Sequence, residues 1–167
     1  MTLIVAALEQ EFPFKNEFNI LYTDVGKVNA SINLLTYLEK NKNIDTIINV
    51  GSAGGIDVPT NSVVECGTFI DGELNYPGYV LETITHNPTK LTIATFDTFQ
   101  TKIPLRYCNC VDMESFVFAK ICEIKKLKFL CYKYISDRVG DTNQETNWLE
   151  NYQNGRYLLK EKVISNL

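Results

Sequence analysis

The segment Asp45-Thr46-Ile47-Ile48-Asn49-Val50-Gly51-Ser52-Ala53-Gly54-Gly55 decides the fold class of this 167-residue chain. Its first half, DTIINV, is a short apolar, β-branched run of the kind that forms a strand buried on both faces. It passes directly into small residues, which read as a loop at a strand's carboxyl end, where open α/β sheets place their ligands. Leu3–Leu8 (LIVAAL) is a second buried run, ended by acidic residues, and NILYTDV (19–25) is a third strand. After Gly26 the pattern VNASINLLTYLEKN becomes helical, with Val28, Ile32, Leu35 and Leu38 falling on one face. NSVVECGTFID (61–71) and KLTIATFDTF (90–99) read as strands, separated by a loop that contains Gly and Pro. Met113–Lys125 reads as a helix with Phe116, Ala119, Ile121 and Ile124 inside, and FLCYKYIS (129–136) as a last strand that stops at Asp137. Residues 145–164 read as a C-terminal helix with Trp148, Leu149, Tyr152, Leu158, Leu159 and Val163 on its packing side, Gly155 weakening its continuity. Strands alternating with helices, without repeat or linker, predict a single α/β domain over residues 1–167 with a central mixed, largely parallel sheet.

Composition narrows the function. The chain is 45% hydrophobic and 22% charged, with 16 Lys+Arg against 20 Asp+Glu, and it has no basic cluster to neutralise a row of phosphates, so nucleic acid is not an expected partner. No stretch reaches the ~20 apolar residues that span a bilayer, and the N-terminal run meets Glu9 too early for a signal sequence, which predicts a cytoplasmic protein without membrane contact. The five cysteines, Cys66, Cys108, Cys110, Cys122 and Cys131, are expected to be reduced. The spacing of Cys108 and Cys110 is not that of a zinc site, and the lone His86 lies in a polar run that reads as a solvated turn, so neither a metal nor a cofactor is expected. The glycine string at 51–55 matches neither a P-loop nor a dinucleotide fingerprint.

Three acidic residues fall at strand or loop ends: Glu11 after the first strand, Glu114 opening a helix and Asp137 after the last strand. Carboxyl ends of parallel strands share one edge, so all three can face one cleft. Spacing alone leaves a second reading open, in which they are helix-dipole, cap and turn residues. The strings VGKVNA (25–30), NVGSAGG (49–55), VDMES (111–115) and ISD (135–137), with AALEQEF (6–12) before them, resemble in order the signature segments of the 5′-methylthioadenosine/S-adenosylhomocysteine nucleosidases, members of the purine nucleoside phosphorylase superfamily.

That resemblance implies a three-layer α/β/α fold and cleavage of an N-ribosidic bond through an oxocarbenium-like sugar. It implies that Asp137, oriented by Ser136, protonates or hydrogen-bonds N7 of the departing purine, and that Glu11 is the general base for the attacking water. Glu114 would accept hydrogen bonds from the ribose hydroxyls, with Met113 packed on the ribose and Asp112 beside it in the same motif. Phe99 would stack on the purine, the backbone of Gln100 would read its edge, Ser52, Ala53 and Gly54 would line the pocket, and Val25 would face the 5′ substituent. A homodimer is implied as well. The first 50 residues contain no arginine, which favours hydrolysis over phosphorolysis; the only arginines are Arg106, Arg138 and Arg156. A phosphorylase and a non-catalytic nucleoside-binding module remain as alternatives. The chain reads as an unusually short member of the family, with only fourteen residues between Glu11 and Gly26 and a compressed segment after Asp71, where Tyr76, Pro77 and Tyr79 would supply an apolar wall.

Overall fold

The computed structural model describes residues 1–74, 77, 82–104 and 107–167. Tyr76, Tyr79 and Arg106 lie outside the described residues. The apolar runs form the strands β1 (Thr2–Ala6), β2 (Ile20–Tyr22), β3 (Thr46–Gly55), β4 (Val63–Asp71), β5 (Thr83–Thr85), β6 (Leu91–Thr95), β7 (Cys110–Asp112) and β8 (Lys128–Arg138). A one-turn 3-10 helix (Glu9–Glu11) and the helices α1 (Lys27–Lys40), α2 (Ser115–Lys125), α3 (Gln144–Asn151) and α4 (Arg156–Ile164) complete the described elements.

The strands make one mixed sheet. β1 pairs in parallel with β2 and β3, β3 with β8, β4 with β6 and β6 with β7, whereas β3–β7, β4–β5 and β4–β8 are antiparallel. Because β8 bridges β3 and β4, the pairings β3–β7–β6–β4–β8 close on themselves, and the sheet curls into a partial barrel flanked by β1 and β2. Leu3, Val5 and Ile47 pack beneath α1 and α2, while Ile4, Ala6, Ile48 and Val50 pack with Phe12 and with Leu159 and Val163 of α4. Alternate residues of the same strands therefore serve opposite layers, the α/β/α arrangement expected of strands buried on both faces. In place of a helix between β1 and β2, residues 12–18 lay Phe12, Phe14 and Phe18 against one another.

Several expectations are corrected. Residues 51–55 are not a loop: they are the second half of β3, and none of their glycines has positive φ. Small side chains serve close approach here rather than a turn, since a Cβ at Gly54 would lie 3.1 Å from the Asp137 carboxylate and 3.1 Å from Val139. β8 likewise runs through Asp137 to Arg138 instead of stopping before it. On α1 the buried stripe is Ala30, Leu34 and Leu38; Val28 and Ile32 are 66% and 59% exposed on the neighbouring face. Ile124 is 70% exposed. The C-terminal helix is two helices, and Gly155 between them is buried against Tyr134, whose ring a Cβ would meet at 2.1 Å. Leu159 and Val163 are buried, but Leu149 and Leu158 are exposed. β5 and β7 fall where no strand is expected. His86 is exposed in the bend after β5, as expected of a turn residue, and the edge of its ring also packs against Phe69 and Phe129. All five cysteines are free and buried. Among the described residues no helix is long and apolar enough to cross a membrane.

Candidate active site

One cavity of about 380 Å³ opens where β1, β3, β7 and β8 present their carboxyl ends or last residues. Glu11, Glu114 and Asp137, the first of them about a hundred residues from the other two in sequence, all line it, and each is buried. The three acids thus face one cleft, and two of them also hold cap or turn positions, Glu114 at the N-cap of α2 and Glu11 at the end of the 3-10 turn. Val25, Ser52, Ala53, Gly54, Phe99, Gln100, Asp112 and Met113 also line the cavity; of the nominated residues that are described, Ser136, which lies directly behind Asp137, and the exposed Pro77 do not.

Asp137 owes its position to a β-bulge. The β3–β8 register advances from Ala53↔Ile135 to Gly54↔Asp137, leaving Ser136 as the extra residue. The bulge breaks the alternation that would send Ser136 and Asp137 to opposite faces, and the Ser136 hydroxyl donates to Asp137 Oδ1 at 2.6 Å. Asp137 Oδ2 accepts from Gln144 Nε2 at 2.9 Å. Burial pushes the carboxyl above its ordinary range; the bonds from Ser136 and Gln144 oppose the shift, and Asp141 adds to it. The Ser136 hydroxyl also reaches the Ala53 carbonyl at 3.4 Å, so it can turn to that acceptor when Asp137 carries a proton.

Glu11 closes the 3-10 turn after β1. Its Oε1 accepts from the Ser52 backbone N–H at 2.8 Å and from the Ser52 hydroxyl at 2.7 Å; its Oε2 accepts only the longer Leu8 N–H bond at 3.3 Å. One oxygen is thus anchored, and the other keeps lone-pair capacity for a water in the cavity. Gly51 keeps room for this carboxylate, which would lie 3.4 Å from a Cβ there.

Glu114 is the N-cap residue of α2, and its Oε1 accepts from the Gly26 N–H at 2.9 Å. Gly26 has φ +96°, a conformation that favours glycine, so the turn of the VGKVNA string exists to aim this N–H. Burial raises the Glu114 carboxyl to about 8, helped by the charges of Asp112 and Glu11 and opposed by Lys133 and the Gly26 bond. The folded protein therefore holds a proton that the unfolded chain releases between about 4.5 and about 8, and stability conferred by this group declines as pH rises through that window. Glu114→Gln keeps an acceptor for Gly26 and lacks the titration. Its melting temperature is expected to exceed wild type near pH 8 and to match it near pH 5; equal melting temperatures at both would show that Glu114 is not held protonated.

Asp112 reaches the cavity wall, but its carboxylate faces inward. Oδ1 accepts from Thr95 Oγ1 at 2.7 Å; Oδ2 accepts from the Ser115 backbone N–H and hydroxyl and pairs with Lys133 Nζ at 2.9 Å. With Oδ1 held by Thr95 and Oδ2 by Ser115 and Lys133, the Asp112 carboxylate secures the start of α2 beside Glu114. Sequence reasoning missed Lys133, Gln144 and the cavity role of Trp148. Trp148 turns its indole edge toward Phe99, with ring centroids 5.9 Å apart, and donates from Nε1 to the Ser52 hydroxyl at 3.3 Å. The aromatic spacing at 148 and 152 does show in sequence, and those two rings stack at 4.9 Å.

Anion chemistry is poorly served. Among the described residues the cavity lining contains no lysine or arginine. Arg138 is exposed, and Lys27, beside Gly26, is held by Asp71 at 3.1 Å and Glu73 at 2.7 Å.

No family model matches the chain. It is 29% identical to a 5′-methylthioadenosine/S-adenosylhomocysteine nucleosidase of Thermotoga maritima over 167 aligned residues, covering 86% of this chain and 76% of the relative. Among solved structures it is similar to a nucleosidase of the same description from Colwellia psychrerythraea in complex with adenine, at TM-score 0.77 and 18% identity, covering 91% of this chain and 88% of that one. It is also similar to the Neisseria meningitidis enzyme in complex with methylthio-immucillin-A, at TM-score 0.79 and 16% identity, covering 93% of each chain. These structures share the fold, and the expectation of an unusually short chain is corrected: its length is similar to theirs.

Proposed function

We infer that this chain belongs to the 5′-methylthioadenosine/S-adenosylhomocysteine nucleosidase family and hydrolyses the N-glycosidic bond of adenosine-type nucleosides, 5′-methylthioadenosine or S-adenosylhomocysteine among them, to free base and sugar. The observation that carries this reading is the convergence of three buried carboxylates, each with a different set of partners, on one cavity whose described lining residues include no cationic side chain.

The chemistry assigns each acid a role. As the C1′–N9 bond breaks, its electron pair passes to the purine, and Asp137, whose carboxyl burial keeps ready to hold a proton, supplies that proton to N7. Water adds to C1′, and Glu11 takes its proton on the carboxylate oxygen that Ser52 leaves free. Glu114 accepts the ribose hydroxyls and, once ionised, stabilises the positive sugar. Phe99, Trp148 and Met113 give the cavity its apolar walls, and the Gln100 backbone reads the base edge.

Residues 1–167 act as one domain, in a cytoplasmic protein and as a homodimer. The uncovered Val28 and Ile32 of α1, continuous with the half-open Val25 at the cavity rim, support association of two copies. The purified protein should be incubated with 5′-methylthioadenosine, S-adenosylhomocysteine, adenosine and deoxyadenosine, with and without phosphate, and free adenine followed by chromatography. Adenine release indifferent to phosphate is the expected result. Release only with phosphate would make the protein a phosphorylase and overturn the reading.

A further inference from the structure

Gln144 has no place in the three-acid scheme, yet it is 3% exposed and all of its polar capacity points at the site. It is the first residue of α3. Its Nε2 makes two bonds, donating to Asp137 Oδ2 at 2.9 Å and to the Gln100 carbonyl at 2.8 Å. Its Oε1 accepts the N–H of Gly140 at 3.0 Å. These partners fix the amide's orientation, because a flipped side chain would set its oxygen against two acceptors and its NH₂ against an N–H donor.

We propose that Gln144 is a positioning residue that locks the Asp137 carboxyl to the Gln100 carbonyl, so that the acid which protonates the leaving base and the backbone edge which reads that base are held as one unit. The inference rests on the nucleosidase reading and deepens it. Three segments distant in sequence meet at this amide: the end of β8, the turn at 140 and the strand-to-loop exit after β6. Asp137 Oδ2 accepts from Gln144, and Oδ1, shared with the rotatable Ser136 hydroxyl, is the oxygen placed to gain a proton when that hydroxyl turns to the Ala53 carbonyl. The Gln100 carbonyl keeps its second lone pair for a donor on the purine edge. The charge of Asp141 bears on Asp137, and Glu11, Glu114 and Glu145 line the same cavity. In this acidic surrounding Gln144 supplies neutral donors, which favour the ionised carboxylate without adding a charge.

The test compares wild type, Gln144→Met and Gln144→Glu in kcat and in the pH profile of kcat/KM for adenine release from 5′-methylthioadenosine. Methionine keeps the shape and removes both donors; glutamate keeps the acceptor for Gly140, so at least one variant retains the local fold. Both are expected to lower kcat by about tenfold or more and to move the basic limb of the profile upward by about one pH unit, because Asp137 loses a bond that favours its ionised form. A merely structural role would lower activity and leave that limb in place. An unmoved limb in folded, active variants overturns the positioning role while the nucleosidase reading stands; no adenine from wild type overturns both.

Discussion

Asp137→Asn is expected to slow adenine release by about 10²–10⁴-fold while leaving adenine binding close to wild type. The structure makes this a clean experiment. An asparagine can place Oδ1 toward Gln144 Nε2 and Nδ2 toward the Ser136 oxygen, provided the Ser136 hydroxyl turns to the Ala53 carbonyl, which lies 3.4 Å away. The bulge, the Gly54 contact and the cavity shape survive, and what is lost is the proton and the group that holds it. The base must then leave without its N7 proton, a cost that arises only on the way to the transition state. Near-full activity in this variant would remove Asp137 from its role and leave N7 protonation to another group. Loss of adenine binding by calorimetry, with the rate unchanged once saturated, would make it a binding residue only.

How much of this site is legible in the sequence depends on which residue is considered. Glu11, Glu114 and Asp137 can be placed on one sheet edge because they fall at strand and loop ends, but that placement leaves a cap-and-turn reading open, and it is the resemblance of the surrounding motifs that singles them out. The bulge at Ser136 is not visible, because one extra residue in a strand leaves the apolar pattern intact. Gln144 is invisible for a related reason: a polar residue opening a helix looks solvated until tertiary folding buries it. The GSAGG string misleads because small residues mark close backbone approach and turns alike, and here packing against β7 and β8 keeps the backbone extended. On α1 the apolar positions at 28, 32 and 35 are real, but Ala30, Leu34 and Leu38 face the sheet. Periodicity finds an apolar face and does not say which neighbour covers it.

Lys133→Met is expected to destabilise the protein by about 3–5 kcal/mol, lowering the melting temperature by on the order of 10 °C. Lys133 is 1% exposed in the middle of β8, where lysine is rarely found, and its ammonium pairs with Asp112 at 2.9 Å. Burial pushes the Asp112 carboxyl up, but the Lys133 charge, with bonds from Ser115 and Thr95, holds it below its ordinary value. Its stabilising contribution is thus present above the ordinary carboxylate range and lost as pH falls through the depressed folded value. Methionine fills much of the volume and strands that charge. With its counter-ion gone, burial dominates Asp112, so the variant should gain stability on acidification from neutral pH over a range where the wild-type pair does not. Adding Asp112→Asn removes the stranded charge, and thermal melts should show the double variant more stable than Lys133→Met alone. The ammonium also opposes the upward shift of Glu114, so its loss should make that carboxylate harder to ionise and weaken the nucleoside binding proposed for it even where the variant is fully folded. A Lys133→Met protein with wild-type melting behaviour and unchanged affinity would show that Asp112 and Glu114 do not depend on that charge, and the electrostatic support assigned to β8 beneath the sugar site would have to be abandoned.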